Sequence, residues 1–161
     1  MPKVSVIIVS WNRKEMLQRC LYSLTKQTYQ DFEIIVVDNG SVDGAECYAT
    51  LRNATNLGFA KAANQGIAAS VGEYVALLNN DAAANRYWLE ELVKYAERPH
   101  DGQPGMYASQ VIRPDGSLES AGCYIYHDGN GMCIRDCRPP DFPSGCAAMY
   151  KLEMLDRIGL F

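Results

Sequence analysis

The chain has 161 residues and a formal net charge of −4 at pH 7, and 48% of its residues are hydrophobic against 21% charged. Its length is typical of a single domain with a sizeable core, and its composition is typical of soluble globular proteins. The acidic balance leaves no basic footprint for nucleic acid, and no apolar run approaches the roughly 20 residues that span a bilayer. Because the N-terminus lacks the features of a signal peptide, we expect a cytoplasmic protein.

Three near-continuous runs of β-branched and aliphatic residues, at 4–9, 32–38 and 75–78, indicate strands that are buried on both faces of a sheet. Apolar residues at helical spacing predict helices, which are expected at 14–27, 47–51, 58–70 and 86–93. Strands that alternate with helices predict an α/β fold, with a mostly parallel, Rossmann-like sheet and helices on both faces.

The pattern after residue 95 is less regular. Short strands joined by a turn at 114–116 are expected within 102–126, and the Gly-, Pro- and Asp-rich stretch 127–143 is interpreted as a loop. A strand followed by a helix is expected within 145–161. The last residue, Phe161, follows an apolar leucine without a polar tail, so we expect the chain to be a piece of a longer protein.

The chain contains six cysteines, which is many for a cytoplasmic protein. Cys20 and Cys47 fall in predicted helices and are interpreted as small buried residues. The spacing of Cys133 and Cys137 leaves half of a zinc site open, but no paired C-x-x-C motif accompanies it, so reduced thiols are favoured. The two histidines have no metal-ligand spacing and are interpreted as surface residues.

Polar side chains follow each of the three buried strands. Right-handed crossovers bring the carboxyl ends of parallel strands to one edge of the sheet, where open α/β sheets bind their ligands. Each polar group alone is also compatible with an ordinary turn, because asparagine and aspartate end strands well. For Trp11, core burial and packing against a base both stay open. Three polar strand ends at one edge nevertheless predict a binding crevice, formed by Ser10, Asn12, Asp38, Asn39, Ser41, Asn79, Asn80 and Asp81.

The chemistry of this edge favours a nucleotide diphosphate. Neither the dinucleotide fingerprint G-x-G-x-x-G nor a P-loop is present. Asp38 would accept hydrogen bonds from a base or ribose, and Asp81 would hold a divalent cation that neutralises a diphosphate. Sugar transfer from a nucleotide-diphospho-sugar needs such a site, because a cationic group must stabilise the anionic leaving group.

Four segments in this order resemble family 2 inverting glycosyltransferases with the GT-A fold: "VSVIIVSWNRKEMLQRCLYSLTKQTYQDFEIIVVDNGSVDG", "NLGFAKAANQGIAAS", "YVALLNNDA" and "SGCAAMYKLEMLDRIGLF". The subgroup that the chain is most similar to contains bacterial rhamnosyltransferases. By this resemblance, Asp81 would be the metal-binding carboxylate of a D-x-D-like motif. Together, the strand ends and the resemblance imply that the nucleotide-sugar is bound by Ser10, Trp11, Asn12, Asp38, Asn39, Ser41, Asn56, Gly58, Phe59, Asn64, Asn80 and Asp81.

The resemblance also implies the partners of the reaction. These are a nucleotide-diphospho-sugar donor, a saccharide or lipid-linked acceptor and a divalent cation, Mn²⁺ or Mg²⁺, in bacterial polysaccharide or cell-envelope glycan synthesis. Residues 1–161 would form a single GT-A domain truncated at its C-terminus, with a nucleotide-binding half at 1–98 and the start of an acceptor-side half at 99–161. The whole protein would act in the cytoplasm, with peripheral association at the inner face of the membrane.

Two departures from the family pattern leave alternatives open. Asn79 stands where many relatives carry the first aspartate, so one carboxylate remains for the metal. The family's acidic general base comes later in the chain, so no catalytic base is expected within residues 1–161 and transfer by them would be negligible. One alternative is therefore a non-catalytic nucleotide-sugar-binding module. Another is a response-regulator-like domain with Asp38 as phosphoacceptor, although no acidic pair follows the first strand.

Overall fold

The structure, a computed structural model, describes residues 1–99, 104–125, 131–135 and 140–161. No helix in these ranges is long and apolar enough to cross a membrane. The helices are α1 (Lys14–Leu24), α2 (Phe59–Ala69), α3 (Trp88–Ala96) and α4 (Leu152–Ile158). The strands are β1 (Val4–Ser10), β2 (Phe32–Asp38), β3 (Leu51–Arg52), β4 (Tyr74–Leu78), β5 (Met106–Ala108), β6 (Val111–Ile112), β7 (Leu118–Ser120), β8 (Cys123–Ile125), β9 (Gly131–Cys133) and β10 (Ala147–Lys151).

Six of these strands form a central sheet in the order β3-β2-β1-β4-β10-β5. Strand β1 is parallel to β2 and β4, and β2 is parallel to β3, whereas β10 is antiparallel to β4 and β5. The register aligns Ser10 with Asp38 and Ile7 with Leu77. The carboxyl ends of β1, β2 and β4 therefore meet at one edge of the sheet. Strand β6 pairs with β7 and β8 with β9 outside this sheet.

Successive strand side chains point to opposite faces of the central sheet, and helices cover the apolar side chains on both faces. On one face, Ile8 lies in a buried cluster with Leu17 of α1 and with side chains of α3. On the other face, Ile7 lies in a second buried cluster with Ile67 of α2 and with Leu155 of α4. The predicted α/β fold, with a mostly parallel sheet and helices on both faces, is confirmed.

The segment before β3 differs from the sequence-based expectation, because the helix predicted through 47–51 is wrong. One turn of 3-10 helix spans Ala45–Tyr48, and the chain then runs beside the end of β2 as the short strand β3. Thr50 donates its backbone N–H to Val36 O at 2.8 Å, and its Oγ1 accepts the backbone N–H of Val36 at 3.1 Å. These bonds to the open edge of β2 outweigh the weak helical pattern of the segment.

The second half contains the expected short elements, but the interpretation of 127–143 as a loop is wrong at Gly131–Cys133, which form strand β9 by pairing with β8. The turn at 114–116 joins β6 to β7, and the backbone N–H of Gly116 closes it by donating to Arg113 O at 2.9 Å. Gly116 has a φ of +84°, which glycine adopts without steric cost. The strand and the helix expected within 145–161 are β10 and α4.

The predicted burial of two cysteines is correct for Cys20 and wrong for Cys47. Cys20 is fully buried on the inner face of α1, as predicted, but Cys47 is exposed, so its predicted burial is wrong. Cys47 differs because its segment is a surface 3-10 turn and not a helix with a buried face. Cys137, His100 and His127 lie outside the described residues.

Candidate functional site

The candidate site lies where β1, β2 and β4 end, at the carboxyl edge of the sheet. Four polar residues there, Ser10, Asp38, Asn39 and Ser41, are each at most 1% exposed. Buried polar groups are costly unless they are hydrogen-bonded. Their partners belong to the loops that follow the strands, so the four residues form a buried polar floor that holds these loops in place.

Asn39 has the most partners of these residues. Its Nδ2 donates to Asn56 Oδ1 at 2.9 Å and to Gly58 O at 3.2 Å. Its Oδ1 accepts from Asn53 Nδ2 at 3.1 Å and from the backbone N–H of Leu57 at 3.0 Å. Because these four bonds occupy the whole amide group, Asn39 fixes the position of loop 53–58 in this structure.

Asp38 is a fully buried carboxylate at the end of β2. Both of its oxygens accept the backbone N–H of Ser41 at 3.3 Å, and Arg52 Nε lies 3.6 Å from its Oδ2. The side chain of Arg52 is 60% exposed and covers the carboxylate from the solvent side.

The loop after β1 is fastened to the loop after β2. The backbone N–H of Asn12 donates to Ser41 Oγ at 2.7 Å, and Asn12 Oδ1 accepts the backbone N–H of Val42 at 3.0 Å. The backbone N–H of Lys14 donates to Asp43 Oδ2 at 2.8 Å. This last bond holds the pKa of the Asp43 carboxyl below its usual value. These three bonds therefore tie the two loops to each other.

The triplet of Asn79, Asn80 and Asp81 is both a turn and a link to β1. The backbone N–H of Ala82 donates to Asn79 O at 3.1 Å, as in an ordinary turn. In addition, Asn80 Nδ2 donates to Ser10 Oγ at 3.4 Å, and Arg13 Nη1 lies 3.1 Å from Asp81 Oδ2. The Asp81 side chain is 41% exposed, so its carboxylate is accessible from the crevice.

The remaining predicted residues lie around this floor. Trp11 and Phe59 are 54% and 47% exposed, so burial of Trp11 in the core is excluded. Asn56 Oδ1 also accepts the backbone N–H of Gly58 at 2.9 Å, directly before α2. Asn64 contacts Phe161 instead, because its Nδ2 donates to Phe161 O at 2.7 Å and its Oδ1 accepts the Phe161 N–H at 3.1 Å.

The donor set at Asp81 fits a cation that is shared with a ligand. Within residues 1–99, 104–125, 131–135 and 140–161, no group of three or more His, Cys, Asp or Glu side chains is placed to hold a metal ion. Mg²⁺ usually takes one or two protein carboxylates and completes its shell with water and phosphate oxygens. The exposed Asp81 carboxylate meets that requirement if a diphosphate supplies the other ligands.

Two thiols lie beneath the site. Burial raises the pKa of Cys20 to about 12, and the negative charge of Asp81 acts in the same direction. Burial and the same carboxylate also raise the pKa of Cys146. Both thiols therefore stay protonated and neutral near pH 7, which makes them poor nucleophiles and poor metal ligands.

Sequence reasoning did not identify the two arginines of the site. Arg52 was missed because the preceding segment, 47–51, was predicted as a helix, whereas β3 brings Arg52 beside Asp38. Arg13 directly follows Asn12 at the polar end of β1, and this position was the sequence signal that could have identified it as a site residue. Neither ion pair follows from sequence spacing, because Arg13 and Asp81 belong to separate loops and Arg52 reaches Asp38 through the pairing of β3 with β2.

The sequence and the fold correspond to a known family of proteins. Residues 5–159 match the family model of glycosyl transferase family 2, and the chain therefore belongs to this family. Glycosyltransferase GlyG of Streptococcus pneumoniae is 30% identical over 145 residues, which cover 83% of this chain and 46% of GlyG. An uncharacterized glycosyltransferase of Haemophilus influenzae is 29% identical, over 71% of this chain and 39% of that protein.

Solved structures agree with this assignment. The mannosyltransferase PcManGT of Pyrobaculum calidifontis, in complex with GDP-Man and Mn²⁺, superposes with a TM-score of 0.71 and 27% identity, over 99% of this chain and 47% of PcManGT. Residues 1–349 of the Staphylococcus aureus protein TarS, in complex with UDP-GlcNAc, have the same fold with a TM-score of 0.69 and 21% identity, over 96% of this chain and 47% of that chain. The chain thus spans about half or less of the length of these relatives.

Proposed function

We propose that this chain carries the donor-binding region of an inverting glycosyltransferase, which transfers a hexose or deoxyhexose from a nucleotide-diphospho-sugar to a saccharide or lipid-linked acceptor. The observation that carries the proposal is the position of Asp81, whose exposed carboxylate lies at the crevice above the buried polar floor, in a chain of glycosyl transferase family 2. The complex of PcManGT with GDP-Man and Mn²⁺ supports a nucleotide-sugar donor and a divalent cation.

In this proposal, the loops after β1 and β2 hold the nucleoside. Asp38 would accept hydrogen bonds from the base or ribose once Arg52 has moved from its carboxylate, and a buried acceptor of this kind gives a strong, charge-assisted bond. Asn39 would act indirectly, by holding loop 53–58 against the donor. The exposed rings of Trp11 and Phe59 would provide apolar contact surface.

The cation would be held by Asp81, with Asn80 anchoring the same turn to Ser10. When bound, such a cation stabilises the negative charge that develops on the diphosphate leaving group. Asp81 itself would orient the diphosphate by fixing the cation to the end of β4. A single protein carboxylate makes the site weak without the donor, so the cation and the donor would bind together.

The acceptor step needs a general base that takes the proton of the attacking hydroxyl. We assign this role to none of the described residues, and we expect residues 1–161 to bind donor with negligible transfer. A non-catalytic nucleotide-sugar-binding module would bind donor equally well, and slow Mn²⁺-dependent hydrolysis of the donor would favour the enzyme over the module. The response-regulator alternative falls because the chain belongs to glycosyl transferase family 2.

For the whole protein we propose a role in bacterial polysaccharide or cell-envelope glycan synthesis, with a rhamnosyltransferase as the nearest type of enzyme. A lipid-linked acceptor would place the reaction in the cytoplasm at the inner face of the membrane, with peripheral association. The sequence resemblance of the four quoted segments supports this setting.

The proposal is tested by calorimetric titration with UDP, GDP and dTDP, with and without Mn²⁺, for the wild type and Asp81→Asn. We expect Mn²⁺ to tighten diphosphate binding in the wild type by about 5–150-fold, the usual range for coupled ligands, and not in Asp81→Asn. The stability of Asp81→Asn should stay within about 1 kcal/mol of the wild type, because asparagine also forms turns and the lost ion pair is exposed.

Asp115→Asn, which makes the same change of charge in the turn between β6 and β7, is the matched control and should keep the full Mn²⁺ effect. Equal Mn²⁺ enhancement in the wild type and Asp81→Asn would reduce the triplet at 79–81 to an ordinary turn.

A further inference from the structure

The carboxylate proposed for the cation already has a partner within the protein. Arg13 Nη1 lies 3.1 Å from Asp81 Oδ2, so an ion pair bridges the crevice from the loop after β1 to the turn after β4. Both side chains are substantially exposed, at 61% and 41%. A guanidinium in this position adds positive charge where a cation would approach and occupies one carboxylate oxygen. Arg13 and a cation therefore compete for the same group.

The backbone that carries Arg13 is strained. Asn12 and Arg13 have φ values of 57° and 60°, in the left-handed region that residues other than glycine seldom adopt. Asparagine tolerates this conformation through its short polar side chain, but arginine has no such compensation. Two consecutive residues of this kind at a strand end indicate that the position of the loop has a purpose, since strain of this type persists mainly at functional sites.

The loop cannot easily relax, because hydrogen bonds hold it on both sides of Arg13. Asn12 is bonded to Ser41 Oγ through its backbone N–H and to Val42 through its side chain, and the backbone N–H of Lys14 is bonded to Asp43. The backbone at Arg13 is thereby fixed while its long side chain stays free to change partner. This is the arrangement expected of a residue that exchanges one anion for another.

We infer that Arg13 couples the cation to the donor: its guanidinium pairs with Asp81 when the crevice is empty and transfers to the diphosphate when the donor enters, which releases Asp81 for the cation. The inference rests on the function proposed above. A guanidinium pairs with carboxylate and with phosphate through the same forked geometry, so both partners are suitable. Reciprocity then requires that the cation tighten the diphosphate by the same factor as the diphosphate tightens the cation.

The first test measures Mn²⁺ alone, by the electron paramagnetic resonance signal of free Mn²⁺, in the absence of nucleotide. Arg13→Gln should bind Mn²⁺ about two- to fivefold more tightly than the wild type, the range that loss of an exposed ion pair supports. A variant that merely damages the fold cannot gain affinity, so this direction of change separates competition from a structural role. Thermal unfolding checks that each variant is folded.

Lys14→Gln is the matched control, because it removes one positive charge from the neighbouring residue. The Lys14 side chain lies against Gly44, so closely that a β-carbon at that glycine would be 2.9 Å from Nζ. Lys14→Gln should leave the Mn²⁺ affinity at the wild-type value. An equal gain in Lys14→Gln and Arg13→Gln would overturn the inference in favour of a general charge effect.

The second test adds UDP or GDP and compares the Mn²⁺ affinity with and without it. The diphosphate should tighten Mn²⁺ binding in both proteins. This enhancement should be about two- to fivefold smaller in Arg13→Gln than in the wild type, because Asp81 is already free in the variant. Equal Mn²⁺ affinity of the wild type and Arg13→Gln without nucleotide would overturn the inference, as would equal enhancement of Mn²⁺ binding by the diphosphate in the two proteins. Failure of the proposed function would give a different result, because the wild-type protein would then bind neither UDP nor GDP.

Discussion

The two edges of the central sheet use their polar residues in different ways. At the carboxyl edge, Asp38 and Asn39 are buried and bonded to the loops that surround the crevice. At the amino edge, Lys3 forms ion pairs with Glu73 at 2.7 Å and with Glu97 at 3.0 Å. These three side chains are 27%, 47% and 52% exposed, so water and salt screen their charges.

This difference separates residues that shape the site from residues that only tie strand ends together. A buried amide or carboxylate destabilises the fold whenever one of its partners is lost, because the remaining group has no water to replace it. An exposed pair loses its partner to solvent at little cost. We therefore expect variants at the carboxyl edge to change both stability and nucleotide binding, and variants at the amino edge to change stability slightly.

The largest effect is expected for Asn39→Ala. This change removes four hydrogen bonds and leaves the side chains of Asn53 and Asn56 without their shared partner. The free energy of unfolding should fall by about 2–3 kcal/mol, the upper part of the range for unsatisfied buried groups. Urea unfolding measures this loss, and calorimetry should show weaker UDP or GDP binding because loop 53–58 is released.

Asn39→Asp serves as the companion variant, since it keeps the size of the side chain. It replaces the donating amide by a carboxylate oxygen that faces Asn56 Oδ1 and the carbonyl of Gly58. We expect a loss of stability similar to that of Asn39→Ala. If both variants stay within about 0.5 kcal/mol of the wild type, as surface changes do, Asn39 is not what holds the loop.

A smaller effect, on binding, is expected for Asp38→Ala. Removal of the carboxylate should weaken nucleotide binding by about 1–3 kcal/mol, because a donor group on the ligand is left without an acceptor. Calorimetric titration measures the change. Asp31→Ala, an exposed aspartate before the amino end of β2, should leave the nucleotide affinity unchanged. Equal affinities of the wild type and Asp38→Ala would remove Asp38 from the site.

The fold was largely predictable from the sequence because its three main parallel strands are near-continuous apolar runs, a pattern that indicates buried strands. The three runs that begin at Val4, Phe32 and Val75 are buried on both faces, and the helices between them dictate parallel pairing. The segment at 47–51 was not predictable, because its conformation depends on tertiary bonds from Thr50 to the edge of β2. A local pattern contains no information about such bonds.

The meeting of the three polar strand ends was predictable, and the contacts between their side chains were not. Polar residues at three strand ends locate the edge, because topology brings those ends together. The pairing of Arg13 with Asp81 depends on the paths of two separate loops, and that of Arg52 with Asp38 depends on the pairing of β3 with β2. Likewise, the sequence does not reveal that Asn64 bonds to Phe161, 97 residues away. Long-range polar contacts require coordinates.

The smallest effect is expected for Lys3→Met at the amino edge. Methionine keeps an apolar stem of similar length and removes the ammonium that pairs with Glu73 and Glu97. Because all three side chains are partly exposed, the loss of stability at pH 7 should stay below about 1 kcal/mol. Urea unfolding at low salt measures it, and about 1 M NaCl should reduce the difference further. Nucleotide affinity should equal that of the wild type, since the crevice lies at the opposite edge.

The pH dependence of the Lys3–Glu73 ion pair gives a sharper test of Lys3→Met. The hydrogen bond with Glu73 raises the pKa of Lys3 above its ordinary value of 10.5, and the same bond lowers the pKa of Glu73 below its ordinary value of 4.5. The lowered pKa of Glu73 stabilises the fold above pH 4.5, and this stabilisation is lost as the pH falls through the folded-state pKa. The raised pKa of Lys3 stabilises the fold below pH 10.5, and this stabilisation is lost as the pH rises through the folded-state pKa. The difference in unfolding free energy between the wild type and Lys3→Met should therefore be level at neutral pH and shrink on acidification. A difference that persists unchanged in strong acid would assign the effect to the contact of Lys3 with the Tyr74 ring, whose centroid lies 5.6 Å from Nζ.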